Sequence, residues 1–339
     1  MKKSHPHMKR FLIVLICLFG AYAACTVLPR PQNYAAENTM RRSGDMPILI
    51  AHGGGNREFP DNTLEAFYNA YSVDPRVMME TDVCITADGV VILSHDTTLD
   101  RKTNVTGSIA EWNYADLMAQ RVNFGYTNPT SGGVLNGARR LFAYEGMNRS
   151  PLDVNYPEGV TARDEKVFLA TTLEELITAF PENRINVEIK QSGETGMRAL
   201  REVIRLLEKH NAFDRVVLAS FHDDVYAEFG RLRHSGEVPE TFMYSPSTGG
   251  AGVFYALQVL GLDVFYQEPI CALQLPTEKY DFSLAEQSLI DTAHAHNIAV
   301  HYWTINDPAE MRMLIDLGAD GIMTDYPHRL KEVYESYGQ

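Results

Sequence analysis

The feature of this 339-residue chain that most restricts its fold is a regular alternation of strand-like and helix-like runs. Strand patterns, apolar and bounded by Gly, Pro, Asn or Asp, are read at 47–52, 77–83, 185–190, 216–221, 241–244, 264–268, 299–304 and 321–324. Apolar residues at helical spacing fall between them, most clearly at 197–210, 284–296 and 309–317. Strands that alternate with helices are joined by crossovers, pair in parallel and become covered on both faces. Eight such units predict an α/β chain closed into a TIM (β/α)8 barrel, for which this length is ordinary.

Three stretches depart from the rhythm. Residues 90–94 follow the Ala87-Asp88-Gly89 turn and predict a hairpin extension of the second strand. Residues 113–168 are rich in Gly, Asn, Pro and Arg, and are too long for a bare loop, so a small subdomain inserted after strand two and packed over the barrel mouth is expected. At the other end, Lys9 and Arg10 precede an uncharged apolar run at 11–28. That run has three readings: a cleaved signal peptide with Ala21-Tyr22-Ala23 as its site, a retained membrane anchor, or a leader lipidated at Cys25. Each places the body outside the cytoplasm. Residues 29–46 have few apolar side chains and are expected to be a tether, with the barrel domain running over 47–335.

Net charge is −14, and the charged residues of the leader, Lys2, Lys3, Lys9 and Arg10, are all basic, so the body is more acidic still. A nucleic-acid surface needs a basic stripe and is excluded as a partner. An anionic substrate is not excluded, because a bound cation inverts the local field. Of four cysteines, Cys84 and Cys271 alone lie in the body, without C-x-x-C spacing, and are read as buried free thiols.

The chemistry concentrates at strand ends. Glu80 and Asp82 alternate onto one face of strand two. Inward carboxylates at the C-terminal rim of a barrel stand where such folds bind and react. Two like charges so close repel, and a divalent cation resolves that conflict. Glu188, at the end of the next strand, is a third oxygen ligand. Three carboxylates without cysteine suit one hard ion, Ca²⁺ or Mg²⁺. A single acid here is as often a solvated rim charge; three on successive strands are not. His52 ends strand one and His95 ends the hairpin. Either alone is more often structural, but as a pair beside a metal they suit a general acid and a general base. Lys190, on the face of Glu188, suits an anionic substrate. Trp303, at strand seven, is an apolar wall for a glycerol or sugar, or a core residue.

His52-Gly53-Gly54-Gly55 matches the oxyanion loop of α/β-hydrolase esterases, but that chemistry also needs a G-x-S-x-G elbow, and the chain has none. The glycines are read instead as room for a substrate to approach the backbone.

In order along the chain, His52-Gly53-Gly54, Pro60-Asp61-Asn62-Thr63, Glu80-Thr81-Asp82, Asp88-Gly89, His95-Asp96 with Leu99 and Arg101, Glu188-Ile189-Lys190, Trp303-Thr304-Ile305-Asn306 and Gly321-Ile322-Met323-Thr324-Asp325-Tyr326-Pro327 resemble the glycerophosphodiester phosphodiesterase family. The resemblance spans about 47–330. It implies a TIM barrel that hydrolyses glycerophosphodiesters to glycerol 3-phosphate and an alcohol. It also implies Ca²⁺ or Mg²⁺ on Glu80, Asp82 and Glu188, acid–base work by His52 and His95, and phosphate contact by Lys190. The chain departs from the family in two places: the arginine after the first histidine is Gly53, and the acid of the Pro-Glu-Asn-Thr turn is Asp61. Arg57, on the same loop, is the candidate to supply the missing guanidinium. Two other expectations stand beside this one. The same machinery would serve a lysophospholipid or a teichoic-type polymer, and a non-catalytic binding module is the reading from a different class.

Overall fold

The computed structural model describes residues 6–125, 134–135, 138–139 and 149–337. In chain order its strands are β1 (Ile48–Ala51), β2 (Met78–Ile85), β3 (Val91–Leu93), β4 (Val134–Leu135), β5 (Ala138–Arg139), β6 (Ile185–Ile189), β7 (Val216–Ser220), β8 (Met243–Tyr244), β9 (Ala272–Leu275), β10 (Glu278–Lys279), β11 (Phe282–Ser283), β12 (Ala299–Tyr302) and β13 (Gly321–Thr324). The helices are α1 (Pro6–Val27), α2 (Leu64–Val73), α3 (Tyr114–Ala119), α4 (Leu173–Ala179), α5 (Gly193–Lys209), α6 (Asp223–His234), α7 (Thr248–Val259), α8 (Gln287–Ala295), α9 (Pro308–Leu317) and α10 (Pro327–Ser336).

Eight strands run in the order β8-β7-β6-β2-β1-β13-β12-β9. Every pairing along that path is parallel. The seam between β8 and β9 is bridged by one backbone hydrogen bond, from the Cys271 N–H to the Tyr244 carbonyl at 3.1 Å. The result is the predicted barrel, nearly closed. Strand residues are buried almost throughout because helices cover the outer face and side chains fill the inside. Helix α5 shows how: Ala199, Leu200, Val203, Ile204 and Leu207 recur at helical spacing and are buried against the sheet.

One predicted strand is corrected. Residues 264–268 were expected to pair, but a 3-10 turn occupies Asp263–Phe265 and the strand is β9, several residues on. Pro269 intervenes. It has no N–H for a ladder and restricts the residue before it, so regular pairing begins only after it. Phe265 is consequently exposed, whereas Leu273 and Leu275 fill the buried positions.

The 29–46 stretch, expected as a tether, packs against the base of the barrel. Tyr34 and Met40 lie among Ile48, Met78, Val217, Met243 and Ala299, closing the N-terminal end of the barrel interior. Asn38 Nδ2 donates to the carbonyls of Cys271 and Asn297, both at 2.7 Å, and the Met40 carbonyl meets His301 Nε2 at 2.9 Å. Asp320, fully buried, accepts the Arg42 N–H at 3.1 Å and the Val300 N–H at 2.9 Å. Polar composition misled here because a few amide side chains satisfy the buried backbone instead of water. Met40→Ala is expected to lower stability by about 2–5 kcal/mol, as a buried methionine leaves a cavity. A reduced urea midpoint with unchanged slope checks this; an unchanged midpoint would mean the stretch is not part of the folded unit.

The hairpin extension is present: β3 pairs antiparallel with β2. Part of the expected 113–168 subdomain falls outside the described residues. Within them it contributes α3 and the paired β4 and β5, and it packs Phe124 beside Ile92 and Phe168 beside Phe59. Cys84 and Cys271 are buried free thiols, as read. Helix α1 is long and apolar enough over Arg10–Val27 to cross a membrane, and none of that span is buried.

Candidate active site

Parallel strands all end on one face, so residues at their C-terminal ends converge on it. Register fixes which side chains become neighbours: β2 pairs with β6 so that Asp82 stands opposite Glu188 and Glu80 opposite Asn186. Alternation puts Glu80 and Asp82 on the same side, and the three carboxylates each bring an oxygen to within 4.8 Å of the others. Glu80 and Asp82 are buried. Burial and the Asp82 charge raise the Glu80 carboxyl from the ordinary 4.5 to about 8. Burial also raises Glu188, although Lys190 opposes it.

Lys190 lies inside this cluster, its Nζ 3.0 Å from Asp82 Oδ1 and 2.5 Å from Glu188 Oε1. Despite that approach Glu188 Oε1 is buried and makes no properly angled hydrogen bond. Three converging carboxylates faced by the single ammonium of Lys190 keep an excess of negative charge and an all-oxygen donor set, which fits a hard divalent cation.

His52 follows β1 in a 3-10 turn, His52–Gly54. Gly53 has φ +54°, and its N–H donates to Glu80 Oε2 at 2.8 Å. A Cβ on Gly54 would meet Ala66 Cβ at 2.8 Å, and one on Gly55 would meet Pro327 at 2.8 Å. Packing of the turn against α2 and α10 therefore demands glycine at positions 54 and 55, whatever approaches the backbone from the cavity. His52 Nδ1 contacts Asp325 Oδ1 at 2.7 Å, and its Nε2 stands 4.0 Å from Glu80 Oε2. Burial alone would lower this imidazole, but the Asp325 hydrogen bond and the Glu80 charge outweigh it and raise it to about 9. A carboxylate only accepts, so Nδ1 carries the proton and Nε2 is left to work.

His95 is arranged alike: Nδ1 meets Asp96 Oδ1 at 2.9 Å. That bond is the main reason its pKa is raised. Burial opposes, but His95 and Arg101 together hold Asp96 down at about 2. Arg101 Nε donates to Asp96 Oδ2 at 2.6 Å, which orients the pair from behind.

His52, Glu80, His95, Glu188, Lys190 and Trp303 line one cavity of about 500 Å³, with Asp82 in the cluster beneath. Trp303 stacks edge-on to Phe221, ring centres 6.3 Å apart. Arg57 is placed elsewhere: it is half exposed, its Nε 3.9 Å from Asp325 Oδ2.

Sequence reasoning gave no role to Asp325, Asn62 or Asn306, and the structure gives each one. Asn62 Nδ2 donates to Asp82 Oδ2 at 2.9 Å while its Oδ1 accepts the Asp82 N–H at 3.0 Å. Asn306 Nδ2 donates to Asp325 Oδ2 at 2.7 Å. Asp325 showed the same signal as Glu188, an acid closing a strand.

A parallel barrel whose C-terminal rim gathers three carboxylates between two carboxylate-oriented imidazoles has the build of a metal-assisted barrel hydrolase. The profile of the glycerophosphoryl diester phosphodiesterase family matches residues 52–329. The chain belongs to that family, and is thereby a phosphoric diester hydrolase. A probable glycerophosphodiester phosphodiesterase of Mycobacterium tuberculosis is 25% identical over 86% of this chain and 92% of its own length. A human lysophospholipase D is 26% identical over 85% of this chain and 86% of its own. Among solved structures, a glycerophosphoryl diester phosphodiesterase from Silicibacter pomeroyi superposes with TM-score 0.62 at 20% identity, covering 88% of this chain and 96% of its own. An Oleispira antarctica phosphodiesterase solved with sn-glycerol-3-phosphate gives TM-score 0.60 at 19% identity, covering 86% of this chain and 97% of its own. Both show the same fold.

Proposed function

We propose that the chain hydrolyses glycerophosphodiesters to glycerol 3-phosphate and an alcohol, using His52 and His95 as acid and base and a divalent cation on Glu80, Asp82 and Glu188. The observation that carries this reading is the convergence of those three carboxylates within 4.8 Å, beside an imidazole 4.0 Å from Glu80. An all-oxygen donor set favours Ca²⁺ or Mg²⁺. When bound, such an ion supplies charge to stabilise a phosphoryl oxygen in the transition state.

The remaining steps belong to the chain's own groups. Asp325 and Asp96 each hold a protonated Nδ1, leaving the two Nε2 atoms as the working nitrogens. One imidazole takes the proton of the attacking hydroxyl, from water or from a glycerol hydroxyl. The other gives a proton to the leaving alkoxide as the P–O bond breaks. Lys190 pairs with a phosphate oxygen, and its proximity to Asp82 and Glu188 raises its pKa against burial, so it stays cationic. Arg57 supplies a second positive charge behind Asp325. Trp303 and Phe221 form an apolar wall beside the reacting group.

Helix α1 serves as signal or anchor, which places the barrel on the outer side of a membrane. Among the curated relatives are both phosphodiesterases and lysophospholipases D, and an apolar extension of the cavity favours the lipid as a second substrate. The deciding experiment is choline release from glycerophosphocholine by the purified chain. Turnover abolished by EDTA and restored by Ca²⁺ or Mg²⁺ is the expected result. Turnover that persists in EDTA, or no turnover with either ion, sinks the proposal.

A further inference from the structure

Lys102 is a buried charge that the proton-transfer scheme leaves unused. Its side chain is 1% exposed, and a buried ammonium is costly unless an anion meets it. That anion is Asp61, whose Oδ2 stands 3.4 Å from Nζ and whose backbone carbonyl accepts from the same nitrogen. Burial lowers the Lys102 pKa, and the Asp61 charge opposes it. The Phe124 ring covers another side, its centre 5.6 Å from Nζ. Neither Lys102 nor Asp61 lines the cavity, so the pair meets no substrate.

Two neighbours of Asp61 lead to the reacting groups. Asn62 Nδ2 donates to Asp61 Oδ2 at 3.1 Å, and the same amide holds Asp82 at its carboxylate and at its N–H. An amide nitrogen carries two hydrogens, so it serves both carboxylates at once. On the other side Arg101 is shared between two acids. Its Nη2 lies 3.5 Å from Asp61 Oδ2, while its Nε donates to Asp96 Oδ2 at 2.6 Å, and Asp96 in turn holds His95. With Lys102 on Asp61, the guanidinium closes on Asp96. Without Lys102, a buried Asp61 short of positive charge would draw Arg101 toward itself.

We propose that Lys102 is a positioning residue for both halves of the site: by neutralising Asp61 it keeps Asn62 on Asp82 and leaves Arg101 on Asp96, behind His95. This rests on the phosphodiesterase reading above and adds to it a charge outside the cavity on which the metal ligand and the imidazole both depend. No bond forms or breaks at Lys102.

The test uses Lys102→Met, Arg101→Gln and the neutral pair Asp61→Asn with Lys102→Met. Each is measured for Ca²⁺ and Mg²⁺ affinity by calorimetric titration, for kcat and KM in choline release from glycerophosphocholine, and for thermal unfolding. Lys102→Met is expected to lose about 10–100-fold in both ion affinity and kcat, the range for partners standing behind metal ligands. KM should change little. Arg101→Gln should lower kcat with ion affinity kept, because the Asn62 branch is intact. The neutral pair should recover most of both, because an amide at position 61 neither needs Lys102 nor pulls Arg101 from Asp96. A lysine that serves only the fold gives a lower melting temperature with ion affinity and kcat of the folded protein unmoved, and that result overturns the proposal. So does a neutral pair as impaired as Lys102→Met. Should Lys102→Met fail to fold, the other two variants decide: full kcat in Arg101→Gln, or an inactive neutral pair, is equally fatal. Ion affinity is read without substrate. Its loss in Lys102→Met therefore upholds the network even where the wild-type chain releases no choline, an outcome that removes the phosphodiesterase reading instead.

Discussion

His52→Ala is expected to lower kcat for glycerophosphocholine by about 10²–10⁴-fold, the range for loss of a positioned acid or base. His95→Ala should fall in the same range. The two imidazoles have matching surroundings, each held at Nδ1 by a carboxylate, at 2.7 Å from Asp325 and 2.9 Å from Asp96. Neither substitution opens a sealed core, since the His52 side chain is 26% and the His95 side chain 53% exposed. His95→Ala should therefore unfold close to wild type, whereas His52→Ala should melt lower at neutral pH, because Asp325 and Glu80 lose the charge that faces them. Because the two groups work in one proton-transfer scheme, the double variant should lose little more than either single one. Near-full activity in either single variant refutes the assignment. An additive double loss would instead separate their roles.

Removal of one cluster carboxylate should matter as much. Asp82→Asn is expected to weaken Ca²⁺ or Mg²⁺ binding by at least about 100-fold, since losses of even the outer partners of metal ligands reach that size. Calorimetric titration with each ion measures it. The metal-free protein should respond in the opposite sense, because Asp82 is the charge that most strongly opposes ionisation of buried Glu80. The sign follows from linkage. Glu80 is raised from 4.5 to about 8, so its contribution to stability is complete below 4.5 and is lost as pH climbs toward 8. His52, raised to about 9, acts in the same direction at higher pH. In EDTA the melting temperature should therefore decline between weakly acidic and mildly alkaline pH. Asp82→Asn or saturating cation should shrink the decline. An EDTA-treated protein equally stable across that range, or a variant that binds either ion normally, would remove Asp82 and Glu80 from the site.

How much of this was legible in the chain depended on the range of the interaction. Seven of the eight barrel strands were readable because apolar side chains and turn residues act locally, and the carboxylates stood out by closing strands. The strand placed at 264–268 failed because an apolar run alone does not show whether Pro269 permits pairing. The base of the barrel was unreadable for another reason. Asn38 reaches the carbonyls of Cys271 and Asn297, and Arg42 reaches Asp320, across more than two hundred residues. No local pattern encodes such partners.

The site divides the same way. Alternation along β2 determined from the sequence alone that Glu80 and Asp82 share a face. Their meeting with Glu188 was decided by the β2–β6 register, a property of two strands brought together by folding. The partnerships of His52 with Asp325 and of Asp82 with Asn62 likewise arose only when separate strand ends reached one rim. Sequence thus determined which chemical groups the barrel carries and on which strand faces. Tertiary structure decided which of them touch, because hydrogen bonds and charge pairs depend on distances that only the closed barrel sets.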